Sequence, residues 1–167
     1  TQTAIKEAQA RGVLFCIATG RMFCSAKQFA DLLKLETPVI SYNGALIKEA
    51  VTGNILRSLP LNLDVAEQVL QYCKKNNWYV QKYVNDCLYV KQITGYAERY
   101  SKRVNVPVIE EGEDFCKLVQ APDKLMLVVD PLEQPGILSE LKKAFVDDVF
   151  ITTSNERFIE IIRPNVN

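Results

Sequence analysis

Hydrophobic positions in the first forty residues switch between helical and strand spacing. Ala4, Ile5 and Ala8 share one face of an expected helix over residues 1 to 11, with Gly12 as its stop. Val13 to Ala18 is then an unbroken apolar run, as expected of a strand buried on both faces in a parallel sheet. Ala26, Phe29, Ala30 and Leu33 fall at i, i+3, i+4 and i+7 and mark a second helix, and Pro38 to Ser41 reads as a short strand. Helix, strand, helix, strand is the signature of a doubly wound α/β layer.

Beyond Ser41 the pattern changes. Tyr42-Asn43-Gly44-Ala45 and Thr52-Gly53-Asn54 are turn signals, and Ile55 to Leu59 returns as a strand, so hairpins are expected here. A weak internal repeat follows. In its first half, Asn62 caps a helix faced by Ala66, Val69, Leu70 and Cys73, and strands Trp78 to Val84 and Cys87 to Val90 join through Asn85-Asp86. In its second half, strand Leu125 to Val129 precedes a helix opened by Pro135. Strands Val149 to Thr153 and Phe158 to Ile162 then complete it. Each half, the repeat starting at Leu59, reads as strand, helix, strand, strand. A duplicated unit of this kind is expected to form one antiparallel sheet with its helices on one face. Between the halves lie a tyrosine-bearing helix over residues 95 to 104 and an acidic stretch, Glu110 to Asp114, read as a solvated loop.

Composition narrows the chemistry. Lysine plus arginine and aspartate plus glutamate number 20 each, so the formal net charge is zero, which argues against a nucleic-acid partner. Apolar runs of about six residues are far too short for a membrane span. The five cysteines form no CxxC pair and read as free thiols of a cytoplasmic protein. Histidine is absent, which removes Ser-His-Asp and Cys-His nucleophiles and His-ligated zinc from these residues.

The candidate chemistry centres on Ala18-Thr19-Gly20-Arg21, at the carboxyl end of the expected parallel strand, where open α/β sheets place ligands. A threonine hydroxyl, the following amides and a helix N-terminus suit phosphate oxygens, and Arg21 offers a forked donor. The same four residues also read as a plain strand-to-helix turn. Asn43-Gly44 likewise reads either as a hairpin turn or as a side-chain amide set beside the strand end. The tyrosines at 79, 83, 89, 96 and 100 read as faces of strands and a helix, and Trp78 as core.

In order and spacing, Ala4-Ile5, Gly12, Ile17-Ala18-Thr19-Gly20-Arg21 and Ile40-Ser41-Tyr42-Asn43-Gly44-Ala45 resemble the Cof-like phosphatases of the haloacid dehalogenase (HAD) group with a type IIB cap. Phe158-Ile159-Glu160-Ile161 and Pro164-Asn165-Val166-Asn167 are similar to that family's return from cap to core. The resemblance covers essentially the whole chain. It implies a partial Rossmann-like core with a parallel sheet over residues 1–57, an inserted α/β cap with the duplicated unit over 58–163, and a return to the core over 164–167. It also implies a magnesium-dependent phosphatase acting through an aspartyl-phosphate on a small phosphorylated metabolite, with a sugar phosphate expected. Thr19 matches the residue whose hydroxyl holds the transferring phosphoryl group, a catalytic role. Gly20, Arg21, Asn43 and Gly44 match residues beside the substrate.

The aspartate pair of the family's first motif is expected upstream of Thr1, and its lysine and acidic metal-binding motifs beyond Asn167. The magnesium ligands are therefore expected outside these residues, and the chain by itself is expected to be inactive. Two other readings stay open: a non-catalytic binding or scaffold module built on the cap, and a phosphomutase-type transferase.

Overall fold

The computed structural model describes residues 2–166 and divides into two compact units, one running through Ser58 and the other Leu59–Val166. Thr1 and Asn167, the ends of the expected core segments, lie outside the described residues. Residues 164–166 group with the second unit.

In the first unit, helix α1 (Gln2–Gln9) precedes strand β1 (Ile17–Ala18), helix α2 (Phe23–Leu33) and strands β2 (Val39–Ser41), β3 (Leu46–Lys48) and β4 (Ile55–Ser58). The sheet order is β1-β2-β3-β4. β1 pairs parallel with β2, Ile17 opposite Val39, while β2–β3 and β3–β4 are antiparallel hairpins. The expected six-residue strand is thus shorter and not buried on both faces. Only Ile17 and Ala18 join the ladder, and Val13 and Leu14 are exposed, Leu14 by 84%. The expected face of α2 is corrected too. Phe23, Ser25, Ala26 and Ala30 are buried, but Phe29 is 48% exposed, with the Arg21 guanidinium over its ring, 5.6 Å from the centroid.

The second unit contains α3 (Leu63–Lys75), β5 (Val80–Val84), β6 (Cys87–Val90), α4 (Gly95–Val104), β7 (Val108–Glu110), β8 (Lys124–Val128), α5 (Gln134–Ala144), β9 (Phe150–Asn155) and β10 (Phe158–Ile162). Six strands form one sheet in the order β7-β6-β5-β8-β10-β9, antiparallel throughout except for the parallel pair β6–β7. The Asn62 side-chain oxygen accepts from the amides of Asp64 (3.0 Å) and Val65 (3.4 Å), the cap expected for α3. Asn85 and Asp86 both adopt positive φ, 50° and 58°, as a tight hairpin between β5 and β6 requires.

Strand alternation sorts the two faces of this sheet. Val80, Leu125, Leu127, Ile159 and Ile161 point to one side and share a core with Val69, Leu70 and Cys73 of α3 and Ile137 and Leu141 of α5. Burial pushes the Cys73 thiol up to about 12 and raises that of Cys116, so both behave as neutral core groups, and all five cysteines are free. The other face carries Gln81, Tyr83, Lys124, Met126 and Glu160, every one of them buried. Helix α4 lies on that side, Tyr100 meeting Tyr83 edge-on with 6.2 Å between ring centroids. The expectation of helices on a single face therefore holds for α3 and α5 and fails for α4.

Strand-edge pairing accounts for two further features. Ile55 to Ser58 pairs with β3 in the first unit's sheet, as the hairpins expected to leave the first layer would. The expected acidic loop instead begins as the end of β7 and continues as a 3-10 turn over Gly112–Cys116. Its Glu111 reaches Lys82, 2.5 Å away and only 4% exposed, whose ammonium also donates to the Phe115 carbonyl at 3.1 Å.

Lys124 and Glu160 form the most enclosed ion pair described, 3.2 Å apart with side chains 3% and 7% exposed. Burial pulls the Lys124 ammonium below the usual lysine range, and Glu160 offsets only part of this. We predict that Glu160→Ala, which strands that charge, costs about 3 to 5 kcal/mol in urea unfolding, whereas a paired Lys124→Met/Glu160→Leu change costs far less. The lowered ammonium also fixes a pH dependence. Between its folded value and the ordinary value near 10.5, the unfolded chain binds more protons. Lys124 therefore makes stability rise with pH in that window, and Lys124→Met should lack this component.

Candidate active site

Thr19 follows the last residue of β1, and its amide donates to the Ile40 carbonyl (2.9 Å), carrying the parallel ladder one residue past the strand. The Thr19 carbonyl accepts from the Asn43 amide (3.1 Å), and the Arg21 carbonyl accepts from the Tyr42 amide (2.9 Å). These bonds clasp the turn after β1 to the turn after β2. Within the first turn the Arg21 amide donates to the Thr19 hydroxyl oxygen at 3.2 Å. That fixes the oxygen and leaves its own O–H proton for another acceptor.

The second turn is held in an uncommon conformation. Tyr42, Asn43 and Gly44 all have positive φ, 50°, 56° and 100°. Glycine adopts this region freely and asparagine tolerates it, but a tyrosine there is an outlier. Tyr42 is fully buried, so packing holds it where its local preference would not. The hydroxyl of Ser41, also buried, donates to the Leu46 carbonyl (3.0 Å) and closes the base of the hairpin.

The conformation brings Asn43 against Gly20. A methyl placed on the Gly20 Cα would lie 2.3 Å from the Asn43 side-chain oxygen, so only glycine admits that amide. Thr19, Gly20 and Asn43 therefore come together, with Thr19 and Asn43 half-buried. Gly44 contributes its backbone conformation. Arg21 joins through its carbonyl, while its exposed guanidinium lies over Phe29. The expected Tyr42-Asn43-Gly44-Ala45 turn rests on the tolerance of Asn43-Gly44 for positive φ, and the positive φ of Tyr42 itself is an addition of the structure. The signal available was that tyrosine, too bulky for an ordinary solvated turn.

A strand end offering a hydroxyl and a side-chain amide can bind an anion such as a phosphoryl group. Among the described residues no group of three or more His, Cys, Asp or Glu side chains comes together. No described helix is long and apolar enough to cross a membrane.

A family model described as haloacid dehalogenase-like hydrolase matches residues 1–167. The chain belongs to this family. A Streptococcus pyogenes serotype M6 protein is 23% identical over 169 residues, covering 98% of this chain and 62% of its own length. The pyridoxal phosphate phosphatase of Escherichia coli K12 is 26% identical over 115 residues, 69% of this chain and 42% of that protein. Among solved structures, TM0651 from Thermotoga maritima superposes with a TM-score of 0.84 at 26% identity, covering 99% of this chain and 62% of that one. The HAD subclass IIB sugar phosphatase BT4131 shares the fold, with a TM-score of 0.73 at 14% identity, and covers 99% of this chain and 62% of that one. The architecture is thus a HAD Rossmann-like core segment with an α/β cap, and the chain spans about three-fifths of the length of several of its relatives.

The close approach of Gly20 and Asn43 is directly testable. Gly20→Ala is expected to destabilise the first unit by about 1 to 3 kcal/mol through overpacking. Adding Asn43→Gly, which keeps the positive φ and removes the amide, should recover most of that loss in the same unfolding measurement.

Proposed function

We propose that the whole protein to which these residues belong is a phosphatase acting on a small phosphorylated metabolite. Family membership supports the reaction class. The observation that carries the reading is the clasp beyond a parallel strand that bonds the Asn43 backbone to Thr19 and holds the Asn43 amide against Gly20.

In this reading the Thr19 O–H donates to the oxygens of the transferring phosphoryl group. Preorganised donors stabilise charge that grows on those oxygens and spend nothing on reorganisation at that moment. Asn43, pinned between its positive-φ backbone and Gly20, donates to the phosphoryl group or to a neighbouring substrate hydroxyl. An aspartate carboxylate attacks phosphorus and displaces the alcohol, which takes up a proton. Water then cleaves the aspartyl-phosphate and releases inorganic phosphate. Magnesium belongs to the reading through the family alone. The described residues bring together no carboxylate set that fits it, and none of these steps is routed through the ion.

A sugar phosphate is the expected substrate, in keeping with the name of BT4131, and the reaction is expected in the cytoplasm. The Escherichia coli relative's name makes pyridoxal phosphate the second compound to try.

The test is phosphate release, with magnesium, from a panel holding sugar phosphates and pyridoxal phosphate, using the full-length protein and this chain in parallel. Activity in the full-length protein alone is expected. No release from any compound by either would overturn the reading, and a new phosphorylated product in place of free phosphate would make it a transferase. In the active protein, Thr19→Ala should cost about 3 kcal/mol of transition-state stabilisation, roughly a hundred-fold in kcat/KM.

A further inference from the structure

The second unit holds a cavity of about 710 Å³ on the polar face of its sheet, and the phosphatase reading makes no use of it. One wall is helix α4. Tyr96, Arg99, Tyr100 and Arg103 fall at i, i+3, i+4 and i+7 and all line the space. Arg99 stacks on the Tyr96 ring (4.9 Å) and Arg103 on the Tyr100 ring (5.5 Å), which leaves the in-plane donors of each guanidinium to face a ligand. A third guanidinium comes from Arg157 in the β9–β10 hairpin, steadied by a bond to the Tyr96 hydroxyl (3.1 Å). Against these three cations the lining supplies one carboxylate, Glu156.

The floor is apolar where Met126, Val128 and Phe158 meet the space, with one polar exception. Gln81 is fully buried. Its side-chain oxygen accepts from the Tyr83 hydroxyl (3.0 Å), while its Nε2 has no hydrogen-bond partner among the described residues. A buried amide donor without an acceptor is costly, and here it lines the same cavity as the three guanidiniums.

We propose that this cavity binds a small anion carried on an apolar ring. Arg99, Arg103 and Arg157 take the anionic group, Gln81 donates to a polar atom of the ligand, and the tyrosines with Met126 and Phe158 enclose the ring. An anion without a ring leaves the apolar floor unused, and a neutral ring leaves three cations and a buried donor unanswered. The site is assigned within the second unit and does not depend on phosphatase activity.

Calorimetric titration of this chain with phenyl phosphate, inorganic phosphate and phenol tests the assignment without turnover. Phenyl phosphate should bind saturably and at least ten-fold more tightly than either of the others. Arg103→Gln and Arg157→Gln should each weaken it ten-fold or more with unchanged thermal melting, while Thr19→Ala leaves it intact. In an NMR titration of the unaltered chain, the Gln81 side-chain amide resonance should shift, a readout that survives if a variant misfolds. Absence of saturable binding overturns the proposal, as does equal affinity for inorganic phosphate. Binding lost in Thr19→Ala but kept in both arginine variants would put the ligand at the clasp and also overturn it.

Discussion

Two loops of the first unit are locked by a contact that leaves no room for a side chain on one partner. The Asn43 amide occupies the space where a Gly20 Cβ would be, and three main-chain bonds hold the flanking residues in place. Beside that fit lie the Thr19 hydroxyl, fixed by the Arg21 amide, and the positive-φ turn that joins β2 to β3. A tyrosine in the left-handed region is tolerated only because its side chain is completely enclosed. Strain of this kind is stored where surrounding packing over-determines the backbone, and here it sits beside the proposed phosphoryl site.

The second unit divides its work between two faces of one sheet. Its apolar face is an ordinary core beneath α3 and α5. Its other face buries a lysine, a glutamate, a glutamine and a tyrosine, linked in part by hydrogen bonds and an ion pair. Burying so much polarity costs stability relative to apolar packing of the same volume. A sheet face that served only to fold would have no use for it. The arrangement makes sense if that face must present oriented polar groups to something that enters the space beside it.

Much of this was legible in the sequence because the signals were local. The Asn62 cap, the Asn85-Asp86 turn and the helix over 95 to 104 depend on residues within a few positions of one another, and each appears as expected. What escaped depends on partners far along the chain. Whether Val13 and Leu14 extend β1 is decided by what lies beside them, and the ladder takes only Ile17 and Ala18. Charge alone made Glu111 read as solvated, and only the fold brings Lys82 to it across a strand edge. Thr19 and Asn43 were each readable as a turn residue, and their meeting is a property of the parallel pair. The Tyr-Arg stripe of α4 was present at helical spacing, but the tyrosines were read without the arginines between them.

Strand β8 pairs with β5, so residues 91 to 123 leave the sheet from β6 and come back to its centre. Helix α4 travels within this excursion, and the pairing of β5 with β8 holds its two ends close together. Loop-closure entropy grows only slowly with length, by about 0.6 kcal/mol for each doubling, so an excursion anchored in this way is cheap to lengthen, shorten or replace. Helix α4, one wall of the cavity, thus belongs to a segment that can change length at small entropic cost, while the strands β5, β8 and β10 that floor the cavity stay as they are.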